Sequence, residues 1–231
     1  MKKLLPLFTL VLLSGCSLRV MDPASNSAEK ITDLIYLSFA IMMLVLAVVF
    51  ILFVLFIRKY KERPETSDKI PEEKKENKLL EVTWTVIPFI LLAILAVPTV
   101  KATYDITSTI AGSGDDIAKE AVVVDVKAEQ FRWKFTYENG KKTMDELVLP
   151  KDQKVTLRLN SSDVIHSFWV PRLAGKMDVR PNKENRLSFV PQVTGTFQGK
   201  CAEFCGAGHA NMRFETKVVT QEEFENWLAT E

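Results

Sequence analysis

Histidine and cysteine are scarce in this chain, with two of the first and three of the second among 231 residues. No Cys-x-x-Cys-His occurs, so the usual signal for covalent haem attachment is missing. An excess of either charge is lacking as well. Lys and Arg number 30 against 29 Asp and Glu, a formal net charge of +1, and that balance offers no basic face to a nucleic acid. Internal repeats are absent, and the one biased stretch is a charged segment within 58–81.

The scarce residues are not scattered. Apart from Cys16, every cysteine and histidine falls in one constellation: Cys201-Ala-Glu-Phe-Cys205-Gly-Ala-Gly-His209-Ala-Asn-Met212, with His166 upstream in Ser-Asp-Val-Ile-His166-Ser-Phe-Trp. Two thiolates, two imidazoles and a thioether are a soft donor set, suited to copper rather than magnesium or calcium. One thiolate, two imidazoles and an axial Met would describe a blue-copper site. The second thiolate permits another arrangement. Cys201 and Cys205 bridging two copper ions, with His166 on one and His209 on the other, would use all four strong ligands. One unpaired electron would then be shared by both metals, and little would move on reduction. Met212 would be a weak axial ligand to one copper, and a loop carbonyl between the cysteines would serve the other. Two plainer readings use some of the same residues: a disulfide and a structural tetrahedral zinc site. His209 four residues after Cys205, and Met212 three further on, favour copper.

The pattern Cys201-x-Glu203-x-Cys205-Gly-x-x-His209-x-x-Met212, preceded by His166, resembles the dinuclear CuA centre of the cytochrome c oxidase subunit II family. The resemblance covers nearly all of the chain beyond its first segment. It implies an α+β membrane protein, a two-helix transmembrane hairpin followed by an extracytoplasmic cupredoxin-like Greek-key β-barrel. It also implies a function: electrons from cytochrome c enter the copper centre and pass to haem in subunit I, where oxygen is reduced and protons are pumped. Glu203 would give its backbone carbonyl to copper and turn its carboxylate to a magnesium site at the boundary with subunit I. The implied partners are subunit I, the other oxidase subunits, cytochrome c and membrane lipid.

The N-terminal residues say where this would happen. Lys2 and Lys3 precede an apolar run, 4–13, that ends in Leu13-Ser14-Gly15-Cys16. This reads as a lipoprotein signal peptide over 1–15, with Cys16 as the lipidated first residue of an outer segment, 16–33. The run is too short to span a bilayer. Two longer ones, 34–57 and 82–100, are long enough. They define a transmembrane hairpin over 34–101, and Pro88 and Pro98 in the second span predict a kink or a helix end there. Arg58, Lys59, Lys61 and Arg63 crowd the end of the first span, so the 58–81 connection is cytoplasmic and the chain after Lys101 lies outside. A lipidated N-terminus at the outer leaflet agrees with that orientation. The localisation that follows is the bacterial cell membrane, with the copper domain on its outer face.

Residues 102–119 read as a linker, with Ala111-Gly-Ser-Gly-Asp-Asp116 its clearest part. The segment 120–231 reads as one β domain. Short apolar runs at 121–127, 130–137, 155–159, 186–190, 196–200 and 214–219 are bounded by Pro, Gly or Asn, the pattern of a sandwich or barrel. Thr220-Gln-Glu-Glu223 is a capping box for a short C-terminal helix with Phe224, Trp227 and Leu228 on one face.

Two further residues have a plain reading and one implied by the resemblance. Glu81, in Leu79-Leu80-Glu81-Val82-Thr83-Trp84, is a helix-start acid that complements the helix dipole; the resemblance puts it at the mouth of a proton channel in subunit I. In Gln130-Phe131-Arg132-Trp133-Lys134-Phe135-Thr136-Tyr137, strand alternation puts Phe131, Trp133, Phe135 and Tyr137 on one core face. In the family, Phe131 stands where a tryptophan admits electrons, and Trp133 matches a second aromatic. The membrane half, with Val20-Met21-Asp22-Pro23, also resembles subunit II of quinol oxidases, a structural subunit without copper ligands. This chain keeps all five. A copper chaperone is disfavoured by the two spans and by thiolate bridges poorly suited to releasing metal.

Overall fold

Both long apolar runs are helical, and the helices outreach the hydrocarbon they would cross. In the computed structural model, which describes residues 19–62, 75–111 and 121–230, α1 is Asn26–Tyr60 and α2 is Lys78–Ala111. At 1.5 Å per residue each is roughly 50 Å long, against roughly 30 Å of bilayer core. The most apolar window of each helix has none of its residues buried within the chain. A helix satisfies its own backbone, so such a surface can face lipid at no hydrogen-bonding cost.

Local chemistry sets the helix starts. Ser25 Oγ accepts from the N–H of Ala28 at 3.1 Å and begins α1. Asn77 Oδ1 accepts from the N–H groups of Leu79 and Leu80 and begins α2. Arg58 and Lys59 close α1, and Glu81 lies in the first turn of α2, each sign on the favourable end of its dipole. Pro88 and Pro98 do not end α2, which runs through both to Ala111. The first part of the expected linker, 102–111, is therefore helical. Cys16 and the signal segment, the loop residues 63–74 and the Gly-Ser-Gly stretch lie outside the described residues.

The chain divides into two units, Asp33–Asp105 and the rest. Among its described residues the second unit holds ten strands in two five-stranded sheets. They are β1 Val122–Glu129, β2 Arg132–Tyr137, β3 Lys142–Met144, β4 Glu146–Pro150 and β5 Val155–Ser161. After these come β6 His166–Trp169, β7 Met177–Val179, β8 Asn185–Phe189, β9 Gly195–Cys201 and β10 Arg213–Val219. One sheet has the order β3-β2-β1-β5-β8, the other β4-β10-β9-β6-β7. Each contains a parallel pair, β1 with β5 and β10 with β4. The result is a β-sandwich that closes toward a barrel at its edges, where β3 leads into β4 and β7 leads toward β8.

Asp145 makes the first of those corners. Its φ is +57°. Its carboxylate accepts from the N–H of Trp133 at 2.8 Å and from Nε of Arg132 at 2.9 Å, so a side chain supplies acceptors where the strand pairing breaks. Between the sheets an aromatic cluster fills the end nearest the metal-ligand motif. Phe168 and Phe214 stack at 4.9 Å between centroids, and Trp133 lies 5.2 Å from Phe214 and 5.8 Å from Phe168. Gly199 makes room for this cluster, since a Cβ there would sit 2.2 Å from the Phe214 ring.

The chain before and at the start of α1 belongs to this unit rather than forming a free segment. Ala24 exchanges backbone bonds with Arg172 and Gln192, and Asn26 Oδ1 accepts from the N–H of Val190 at 2.9 Å. Ser25 Oγ donates to the Leu173 carbonyl. At the other terminus α3, Gln221–Ala229, starts at the expected capping box and buries Phe224, with Trp227 and Leu228 packed beside it.

Candidate metal centre

Sheet pairing brings the two halves of the ligand motif together. Strand β6 pairs with β9 so that Phe168 faces Cys201. His166, two residues before Phe168, is carried on the same face to the end of the sheet that Cys201 terminates. The loop from Cys201 returns at Met212, whose carbonyl accepts from the N–H of Cys201 at 2.9 Å. Within it His209 opens a short 3₁₀ turn, His209–Asn211. The β9–β10 hairpin thus holds four of the five candidate ligand side chains within one closed loop.

The donor atoms form a compact cluster. Cys201 Sγ and Cys205 Sγ are 3.8 Å apart, and both cysteines are free and buried. His166 Nδ1 lies 3.9 Å from Cys201 Sγ. His209 Nδ1 lies 3.7 Å from Cys205 Sγ. Met212 Sδ is 3.7 Å from Cys205 Sγ, and the Glu203 carbonyl is 3.2 Å from Cys201 Sγ. Sulfurs at this separation can both reach one ion over bonds of ~2.3 Å, the usual metal–thiolate length. Three of these residues, His166, Cys201 and Cys205, place their donor atoms within 4.8 Å of one another. The cluster is compatible with a copper site. His209 lies outside that group of three, beside Cys205.

Electrostatics point the same way. Burial pushes the Cys205 thiol up to about 11, and the Cys201 sulfur beside it adds to the rise. A thiol so raised stays protonated near neutral pH unless a cation takes the place of its proton. Behind His166, Asp163 Oδ1 lies 2.8 Å from Nε2, leaving Nδ1 directed at sulfur. Burial raises the Asp163 carboxyl, but hydrogen bonds from His166, the N–H groups of Gln130 and Val164, and Ser161 outweigh it and hold it at about 2. An ionised carboxylate behind an imidazole fixes its tautomer and strengthens it as a ligand.

The other sequence-predicted residues fall in different places. Glu203 keeps its carboxylate exposed, 4.0 Å from Lys176 Nζ. Trp133 is fully buried and meets the His166 ring edge-on at 6.3 Å. Phe131 is not part of the core face expected of it, because it precedes β2 in a turn. Its ring lies under the ligand loop, where a Cβ on Gly208 would come within 2.5 Å of it. Glu81 is on α2, in the other unit.

Sequence reasoning missed three residues here. Asp163 was findable, since a carboxylate three residues before a metal-binding histidine is a ready second partner for the ring. Phe204 lies between the cysteines, 77% exposed, with its ring 5.8 Å from that of His209. Gln130 carried no signal, because its role depends on a contact 75 residues along the chain.

Comparison with known proteins gives the family. Residues 7–102 match the family model for the transmembrane domain of cytochrome c oxidase subunit II, and residues 139–219 match that for its periplasmic domain. Cytochrome c oxidase subunit 2 of Alkalihalophilus pseudofirmus is 39% identical, over 98% of this chain and 67% of that protein. The Bacillus subtilis protein of the same name is 40% identical, over 94% of this chain and 64% of its own length. The chain thus spans about two thirds of the length of these relatives. Quinol oxidase subunit 2 of Bacillus cereus is 34% identical, over 97% of this chain and 77% of that protein. A solved periplasmic domain of cytochrome oxidase subunit II from Bradyrhizobium japonicum is 29% identical, covering 46% of this chain and 90% of that one, with a TM-score of 0.45.

Proposed function

This chain belongs to the cytochrome c oxidase subunit II family, and we propose that it is the copper-bearing, electron-accepting subunit of such an oxidase. Its ligand set is His166, Cys201, Cys205, His209, Met212 and the Glu203 carbonyl, and the cofactor is a dinuclear copper centre of the CuA type. The observation that carries this reading is the donor cluster, two thiols 3.8 Å apart with an imidazole nitrogen within 3.9 Å of each. Held by these residues, such a centre would supply a one-electron site. The chain's own residues hold the donors at their spacing, bury His166, Cys201, Cys205 and Met212 and fix the His166 tautomer through Asp163.

Cytochrome c is the proposed donor and haem of subunit I the acceptor, with oxygen reduction and proton pumping carried out by the assembled complex. Phe131 and Trp133 are the proposed aromatics of electron entry. Trp133 lies inside, against His166, so Phe131, half-buried on the ligand loop, is the better placed to meet a donor. The exposed Glu203 carboxylate is proposed to complete a magnesium site with subunit I, and Glu81 to stand at a proton-channel entrance. The proposed location is the bacterial cell membrane with the β unit outside, anchored additionally through lipid on Cys16.

The quinol oxidase relatives supply the competing reading, a structural subunit without redox metal. Five retained ligand side chains, four of them buried or nearly so around two free thiols, favour the copper reading. Metal analysis with EPR and near-infrared spectra of the copper-loaded chain tests it. Two coppers per chain with a mixed-valence signal is the expected result. One copper, or stoichiometric zinc, would overturn it.

A further inference from the structure

We propose that Gln130 is a positioning residue for the metal centre, tying the cysteine loop to the segment that carries His166. The inference rests on the copper reading above and goes beyond its ligand list. Gln130 lies in the turn between β1 and β2 and makes two bonds in different directions. Its side-chain Nε2 donates to the Cys205 carbonyl at 2.6 Å. Its backbone N–H donates to Asp163 Oδ2 at 2.7 Å. The other oxygen of that carboxylate lies 2.8 Å from His166 Nε2. A continuous bridge therefore runs from His166 through Asp163 and Gln130 to Cys205. It links one imidazole ligand to one thiol-bearing residue without passing through the metal.

The surrounding packing leaves this bridge little freedom. A Cβ on Gly206, where φ is +130°, would sit 2.9 Å from Gln130 Nε2, and one on Gly208 would overlap the Phe131 ring. The two glycines let the ligand loop lie directly on the Gln130–Phe131 turn. Loop 202–211 has few regular backbone bonds of its own, so its conformational freedom must be restrained by such contacts before two ions can be held at fixed spacing. Among the described residues, the Gln130 amide is the side-chain donor that reaches the Cys205 carbonyl.

The two arms of the bridge can be separated. Any side chain at position 130 other than proline keeps the N–H that bonds Asp163, so Gln130→Met removes only the bond to Cys205 while keeping similar length and volume. Full-length protein in detergent is loaded with copper, and release to a chelator is followed alongside the EPR spectrum. The expected result is release roughly five- to tenfold faster, about what one net hydrogen bond is worth, with altered copper hyperfine structure. The metal-free melting temperature should change little. Gln130→Asn retains an amide but draws it back by one methylene and should behave like the Met variant. If either variant folds and matches the wild type in release rate and EPR, the inference fails. A purely structural role would instead lower the metal-free melting temperature and leave both copper readouts unchanged. Failure of the wild-type chain to bind copper would overturn the ligand reading itself, a separate result.

Discussion

Asp163 Oδ1 lies 2.8 Å from Nε2 of the fully buried His166, on the far side of the ring from the nitrogen that faces Cys201. A single carboxylate thus decides which imidazole nitrogen is free for metal.

This pair has a pH signature. The carboxyl is held at about 2, below its ordinary value of 3.8. A depressed acid stabilises the fold above its unfolded value, and that contribution is lost as pH falls through the folded one. Wild-type metal-free protein should therefore exceed Asp163→Asn in stability at pH 6, by about 1 kcal/mol after solvent screening of this exposed carboxylate. The gap should narrow from about pH 4 and be nearly gone at about pH 2. Thermal or denaturant melts of the two proteins across this range check it, and a constant gap would refute it.

Core packing near the site makes a separate forecast. Gly199→Ala places a methyl 2.2 Å from the Phe214 ring, which itself stacks on Phe168. Over-packing of this kind costs about 1–3 kcal/mol. A melting temperature at or above that of the wild type would show that the aromatic cluster can yield at no cost.

The ligands should separate by role. Cys201→Ser or Cys205→Ser should abolish the mixed-valence signal, because a hydroxyl is a poor, hard replacement for a bridging thiolate. Met212→Leu should leave copper bound and change its reduction potential, with a packing cost under about 1.5 kcal/mol. Membranes carrying each variant are assayed with reduced cytochrome c and with quinol. Slower cytochrome c oxidation with an intact haem spectrum is expected. Unchanged cytochrome c oxidation in Cys205→Ser would end the copper-relay reading, and quinol activity surviving every substitution would favour the structural-subunit alternative.

Cys16 provides a fourth test, independent of copper. The Leu13-Ser14-Gly15-Cys16 pattern predicts a mature chain that begins at a lipid-modified cysteine. Intact-mass spectrometry of membrane-purified protein should show loss of the first 15 residues and an added lipid mass. Retention of Met1, or a bare Cys16, is the contrary outcome.

Much of this protein is written in local patterns. Two uncharged apolar runs are long enough to span a membrane whatever surrounds them, and both are helical. Thr220 and Glu223 close a capping box within four residues, so its partners were in view from the start. The candidate ligands stood out because soft donors are rare here and four of them occupy one twelve-residue segment. By contrast β3 and β7, three residues each, are too short to show alternation. Strand β4, Glu-Leu-Val-Leu-Pro, is buried on both faces over most of its length and shows none.

Tertiary structure alone decided the rest. His166 meets Cys201 because β6 pairs with β9, a register that no spacing along the chain announces. The turn at Gln130 removed Phe131 from the face that strand periodicity assigned to it and set it beneath the ligand loop. Gln130 itself acts across 75 residues. The sequence by itself determined which donors exist and that two helices are long enough to span a membrane, since chemistry and length are properties of residues taken in order. Which donor faces which, and what holds it there, depends on hydrogen bonds and packing between segments that meet only once the sheets have formed.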